Sequence, residues 1–369
     1  MNNIERVSVL QVLLFLVNFR ILPIFSYLPA INAPPANQDI WISELLSFIY
    51  TIVLALPLIF LGYKFNGMTL IQYSEKIMGK LLGKFIGILV IGLFLFQCVI
   101  TLNSATGFLR STIFSITPEY ATGILIVLTC IYVVFKGIEV IIRGSEIFVP
   151  SVLVVIIVFI CLGIKNMDFK EFLPILSDSN FKDLNIGAIN VVSQYTELLL
   201  LAMIIPNINQ KRKLTKIVVL FTSITTILLL AITMSTQATI GIKASTQANY
   251  PFFLYTRLIN VYDFIQRIES INVLAWVTVS IGKFSTYLYF ATIGIKQVFN
   301  TKSNKPFIVP LAFILLILSM TLSIRKSVIL NKAISYKVYP FITLPYIIVI
   351  PLIMLVVFFF RKKTLDNAS

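Results

Sequence analysis

Ile189-Asn190-Val191-Val192-Ser193-Gln194-Tyr195-Thr196-Glu197-Leu198-Leu199-Leu200-Leu201 sets a polar run, Ser193 to Glu197, inside a stretch otherwise apolar enough to cross a bilayer. A helix that unwinds at membrane depth frees backbone N–H and C=O groups. Hydrocarbon cannot satisfy them, so such a break belongs in the protein interior or beside a cavity. Glu197 sharpens the point, because a charge near the bilayer centre costs roughly 2.5 to 3.5 kcal/mol on insertion scales. Arg20 and Lys283 stand in two other long apolar stretches. Ionisable groups so placed mark a functional site by default.

Composition fixes the class. Of 369 residues, 58% are hydrophobic and only 12% charged, with mean hydropathy +0.95, whereas soluble domains carry about 25% charged residues. This is the composition of an integral membrane protein. Its net charge of +15 therefore reads as loop topology and not as affinity for nucleic acid. Cys98, Cys130 and Cys161 each lie in an apolar run, where a thiol behaves as a small hydrophobe. The first apolar run, Val7 to Val17, is followed by no small-x-small cleavage pattern and reads as a span rather than a signal peptide.

A span needs about 20 apolar residues. Ten are expected, over 7–31, 40–63, 85–109, 120–142, 146–165, 187–206, 215–241, 270–297, 306–324 and 338–360. An even number puts both termini on one side. With the N-terminus inside, 17 Lys and Arg fall on inner segments and 11 on outer ones, the tight clusters 211–213 and 361–363 both inside, so both termini are expected to be cytoplasmic. Thr69 to Lys84 carries Leu70, Tyr73, Ile77, Leu81 and Phe85 at helical spacing and predicts an amphipathic helix in the inner interface. Leu254, Leu258, Tyr262, Ile265 and Ile268 predict a similar helix outside, capping a vestibule or simply filling space.

The ten spans divide as five plus five, repeat one over about 7–165 and repeat two over about 187–361, in one transmembrane domain. The first span is expected to break at Asn18-Phe19-Arg20-Ile21-Leu22-Pro23, as the sixth does at Ser193 to Glu197; Arg20 and Glu197 stand 177 residues apart, close to half the chain. Paired interruptions at corresponding places are the pattern of inverted-repeat transporters, whose site lies between them near the midplane. A half-helix N-terminus attracts a carboxylate and a C-terminus a cation, so the arrangement suits a zwitterion such as an amino acid. Asn18, Arg20, Tyr195, Thr196, Glu197 and Tyr287 are the expected ligand-binding residues, with Gln97 and Thr101 from the third span; Ser104 and Thr106 share its polar character. Lys283 sits where the eighth span packs beside the first, and is expected to replace a sodium ion or to pair with a charge. The bland alternatives stay open: Arg20 reaching the interface, Glu197 pairing only so that its charge is tolerated, and Pro57, Pro150, Pro345 and Pro351 acting as kinks.

The order of several segments resembles the spore germination permease family, the B-type membrane subunit of germinant receptors, in the amino acid-polyamine-organocation superfamily. The resemblance rests on Gln38-Asp39-Ile40-Trp41-Ile42-Ser43, Thr196-Glu197 with Met203 and Pro206, Asn249-Tyr250-Pro251-Phe252, Gln266-Arg267-Ile268-Glu269 followed by Trp276, and Lys283 leading into Tyr287-Leu288-Tyr289. It implies an all-α fold of ten transmembrane helices in a LeuT-like five-plus-five inverted repeat with broken first and sixth helices. It also implies residence in the inner membrane of an endospore, association with an A-type membrane subunit and a C-type lipoprotein, and binding of a germinant, commonly an amino acid. The chain departs from the family pattern in having Arg20 where the first break is usually small and Gly-containing, and Gln266 where an acidic residue is common. Three functions compete: a ligand-gated sensor subunit, a secondary transporter of amino acids or similar solutes, and a scaffold with a water or ion pathway. An enzyme is not expected, for the chain carries no nucleophile–base pair, metal-ligand cluster or phosphate-binding glycine loop. No cofactor is expected either.

Overall fold

The computed structural model describes residues 7–26, 35–259, 269–324 and 338–366. Its helices are α1 Val9–Ser26, α2 Ile40–Lys64, α3 Leu70–Met78, α4 Lys80–Thr112, α5 Glu119–Lys136, α6 Ile138–Gly163, α7 Phe181–Ser193, α8 Glu197–Ile204, α9 Leu214–Ile240, α10 Ile242–Gln247, α11 Pro251–Arg257, α12 Glu269–Phe299, α13 Lys305–Ile324, α14 Tyr339–Leu344 and α15 Ile350–Asp366. A π-helical stretch, Pro345–Val349, joins the last two. Among the described residues the only extended pairing is a single bridge between Val7 and Ile208. It ties the chain before α1 to the segment after α8 through Val7 N–H to Asn207 O at 2.8 Å and Asn209 N–H to Val7 O at 3.0 Å.

Seven helical stretches among the described residues are long and apolar enough to cross a membrane, which makes this a multi-pass membrane protein. The helices α1 and α13 are apolar but shorter, and α12, 31 residues long, is interrupted by polar residues, Lys283 among them. Exposure sorts the spans. The most apolar part of 181–207 is 94% buried, against 28% for 119–136 and for 138–166, so the interrupted span lies inside the protein and the latter two at its periphery.

At the centre runs α1, packed against α6, α8, α9, α11 and α12 with Phe15, Leu16, Phe19, Ile21 and Phe25 buried. It is one continuous helix from Val9 to Ser26, which corrects the expected break at Asn18 to Pro23. A proline inside a helix removes one donor and leaves the carbonyl four residues earlier without its helical partner. Here that carbonyl belongs to Phe19, and Lys283 Nζ donates to it at 3.2 Å. One freed acceptor found a buried donor, so the helix did not have to unwind.

The break in the other half is present. Gln194, Tyr195 and Thr196 separate α7 from α8, and all three are buried. Tight turn bonds close the gap: Tyr195 N–H to Val192 O at 2.9 Å, Leu198 N–H to Tyr195 O at 3.2 Å and Leu199 N–H to Thr196 O at 3.1 Å. Irregular backbone at this depth is tolerated because protein surrounds it.

Other boundaries move. The fourth and fifth spans part at Gly137, whose φ of +92° suits a residue without Cβ, and not at 143–145; Arg143 and Glu146 are therefore part of α6. The amphipathic segment at 69–84 divides at Gly79, leaving α3 with a Thr69–Gln72 capping box and a buried face of Leu70, Ile71, Tyr73 and Ile77, while Lys80 and Lys84 belong to α4. On the opposite stripe, α11 covers Pro251–Arg257; Tyr262, Ile265, Gln266, Arg267 and Ile268 lie outside the described residues.

Candidate functional site

The break between α7 and α8, the middle of α1 and the middle of α12 converge. Glu197 opens α8 and is fully buried; Lys283, on α12, brings Nζ to 3.7 Å from Glu197 Oε1, with the lysine side chain 7% exposed. Lys283 thus bridges a carboxylate on α8 and a freed carbonyl on α1, and its ammonium also lies 5.9 Å from the Tyr287 ring centre. Arg20, three turns into α1, is fully buried. Its guanidinium carbon sits 4.0 Å from the centre of the Tyr195 ring, and Nη2 donates to Val191 O at 3.3 Å, at the end of α7. Both cations are therefore held against the break. Arg20 does not reach the interface.

A neutral network braces the same place. Gln97 Nε2, on α4, donates to Thr196 Oγ1 at 3.0 Å and to Tyr339 OH, on α14, at 2.7 Å. Thr196 Oγ1 also pairs with Tyr287 OH at 2.8 Å. Tyr195 OH meets Thr225 Oγ1 on α9 at 3.2 Å. Asn18 packs so closely on α12 that a Cβ at Gly282 would fall 2.6 Å from its Nδ2. Thr101 is buried, one turn beyond Gln97, but shares none of these contacts. Thr106 bonds back to its own helix at Leu102 O and Asn103 O and turns toward Gly123 of α5.

Glu44 is a further buried charge that the apolar runs of the sequence do not mark. Glu44, on α2, is 0% exposed, and its Oε1 accepts from Thr233 Oγ1 of α9 at 2.7 Å. Five residues into a span, it reads as an interfacial residue. The signal lay in its neighbours, for Glu44, Ser47 and Thr51 follow i, i+3, i+7 spacing, and all three are fully buried. Arg20 and Lys283 thus share the bundle interior with the carboxylates of Glu44 and Glu197. Asp39, from the segment that carried part of the resemblance, is also fully buried but satisfied in place: its carboxylate accepts from Leu176 N–H at 3.1 Å and Ser179 Oγ at 2.6 Å.

Charges clustered at an interrupted helix inside a helical membrane bundle define the class of solute-transporter folds. Solved structures share the architecture: MhsT in complex with L-phenylalanine at TM-score 0.67 and 16% identity, covering 93% of this chain and 89% of that one, and Mhp1, a nucleobase-cation-symport-1 family transporter with bromovinylhydantoin bound, at TM-score 0.68 and 10% identity, covering 98% and 94%. The chain belongs to the spore germination permease family, which matches residues 6–328. Among its relatives are spore germination protein KB of Bacillus subtilis (strain 168), 24% identical over 99% of this chain and 97% of the relative, and spore germination protein YndE of the same organism, 20% identical over 97% and 98%. None of these families is one of enzymes.

Proposed function

We propose that this chain is the membrane subunit of a spore germinant receptor, binding a small germinant, an amino acid, at the site between α1, the α7–α8 break and α12. Asn18, Arg20, Gln97, Thr101, Tyr195, Thr196, Glu197 and Tyr287 surround the ligand, and Lys283 supplies the fixed positive charge of a bound cation. Ten spans in two repeats, 7–165 and 187–361, form one transmembrane domain in the spore inner membrane with both termini cytoplasmic. An A-type membrane subunit and a C-type lipoprotein read the change of state, and the chain carries out no chemical step. A ligand shifts such an equilibrium only by its differential affinity for the two states.

One observation carries this reading: two buried cations and a buried carboxylate meet at the break of a chain whose family is that of spore germination. Spores carrying Arg20→Ala, Glu197→Gln or Lys283→Ala, with membrane levels of the protein matched, should need at least about tenfold more germinant for half-maximal response, a loss of about 1.4 kcal/mol. Unchanged dose dependence at normal protein levels would place the ligand elsewhere. The second reading, a secondary transporter, is favoured by the symporter architecture. Concentrative uptake of labelled amino acid into proteoliposomes would establish it.

A further inference from the structure

Apart from Asp39, which is satisfied by Leu176 and Ser179, the buried charges form two unlike pairs. Lys283 and Glu197 are in ion-pair contact at 3.7 Å, and Lys283 is further satisfied by Phe19 O. Arg20 and Glu44 are not closed in this way. Arg20 uses Nη2 on Val191 O, while Nε and Nη1 are buried without a hydrogen-bond partner. Glu44 uses Oε1 on Thr233, while Oε2 is buried without one. Both oxygens of Glu197 also accept no hydrogen bond, but Lys283 stands beside them as a counter-charge, and Glu44 has no cation in such contact. Arg20 and Glu44 both lie along α7, Arg20 at Val191 and the residue before Glu44 at Gly187, one turn earlier, yet no hydrogen bond joins them. A buried ion normally needs both a counter-charge and its full set of hydrogen bonds. Here two donors on α1 and one acceptor of opposite charge on α2 stand without hydrogen-bond partners beside α7.

Their positions are fixed by packing. Tyr195 stacks on the guanidinium from the break. On α2, the residue before Glu44 is wedged against α7, where a Cβ at Gly187 would come 2.6 Å from Ser43 Oγ. Neither side can retreat without opening an interface. Glu197 offers an ammonium a worse place, because Lys283 is already there. Two like charges held in contact in a low-dielectric interior repel strongly.

We propose that the Arg20–Glu44 pair is the recognition element for a zwitterionic ligand, Arg20 taking its carboxylate and Glu44, rather than Glu197, taking its ammonium. This rests on the amino-acid reading above and assigns its amine specificity to a residue of α2. The Lys283–Glu197 pair then frames the site without contacting the amine. A neutral zwitterion leaves the net buried charge unchanged.

The test uses the purified full chain in detergent. Thermal shifts are titrated with each of the twenty standard L-amino acids and, for every one that stabilises, with its desamino acid and its decarboxylated amine. The wild type should prefer the amino acid over its desamino acid by roughly 10- to 100-fold, the range of one charge-assisted hydrogen bond. Glu44→Gln should collapse that ratio toward unity, and Thr233→Val, which keeps the carboxylate but removes its orienting hydroxyl, should lower it partway. Glu197→Gln should weaken both ligands and leave the ratio standing. A ratio that survives Glu44→Gln and collapses in Glu197→Gln overturns the assignment while keeping the amino-acid reading. Should Glu44→Gln not fold, an unaltered ratio in Thr233→Val overturns it equally. If no amino acid stabilises the wild type, both fall together.

Discussion

Lys283 touches three unlike things: the Glu197 carboxylate, the Phe19 carbonyl and the Tyr287 ring. Removing one partner of a buried pair strands the other charge, at a cost of about 3 to 5 kcal/mol, whereas removing both charges together is often neutral or stabilising. Lys283→Met and Glu197→Gln should each lower the thermal unfolding temperature in detergent, and the double variant should regain much of the loss. Additive losses would mean that the pair does not act as a unit. The same contrast explains what a sequence can disclose at this scale. Arg20, Glu197 and Lys283 were legible because each interrupts an apolar run. Glu44 was not, since a charge so near the start of a span looks solvated until α7 and α9 are seen to cover it. Contacts from distant parts of the chain bury it, Thr233 standing 189 residues away, and no local window contains them.

Among the elements, α1 and the α7–α8 segment answer the same problem differently. The polar run at 193–197 holds no proline and still breaks, with Arg20 donating to Val191 O just before it and Thr225 and Gln97 pairing with Tyr195 and Thr196 inside it. Pro23 sits within α1 without breaking it, because Lys283 takes up the one carbonyl it frees. Sequence marks both as irregular, yet which one unwinds is decided by tertiary partners. Restoring a donor at position 23 should therefore matter. In Pro23→Ala the new N–H competes with Lys283 for Phe19 O, and alanine is favoured over proline inside a helix by about 3 kcal/mol. The expected result is a higher unfolding temperature with a weaker thermal response to amino-acid ligands, read in the same titration. A lower unfolding temperature would show that the proline serves packing and not the release of a carbonyl. Gly137 makes the complementary point: its positive φ moved a boundary that charge placement alone had put several residues later.

For the whole molecule, the spacing of 177 residues between Arg20 and Glu197 pointed to two halves, and the helices do bring the two residues to one site. Composition was enough for the class, and span length for most of the helices; which face of each helix meets which neighbour required the assembled bundle. That assembly bears on energetics of binding. Folds of this kind use freed carbonyls and carboxylates at interrupted helices to hold a coupling cation near the midplane. In this chain the Lys283 ammonium already meets a carbonyl of α1 and the carboxylate of α8, so a monovalent cation there would face a like charge. Replacing sodium chloride by choline chloride at constant ionic strength should leave the amino-acid thermal shift within about twofold, since screening alone is then unchanged. Lys283→Ala removes the resident charge and leaves two oxygen ligands in place, so that variant should acquire a sodium dependence the wild type lacks. A tenfold sodium effect in the wild type would instead require a cation site away from Lys283, and ligand occupancy would then be coupled to an ion gradient, as transport needs and a sensor does not.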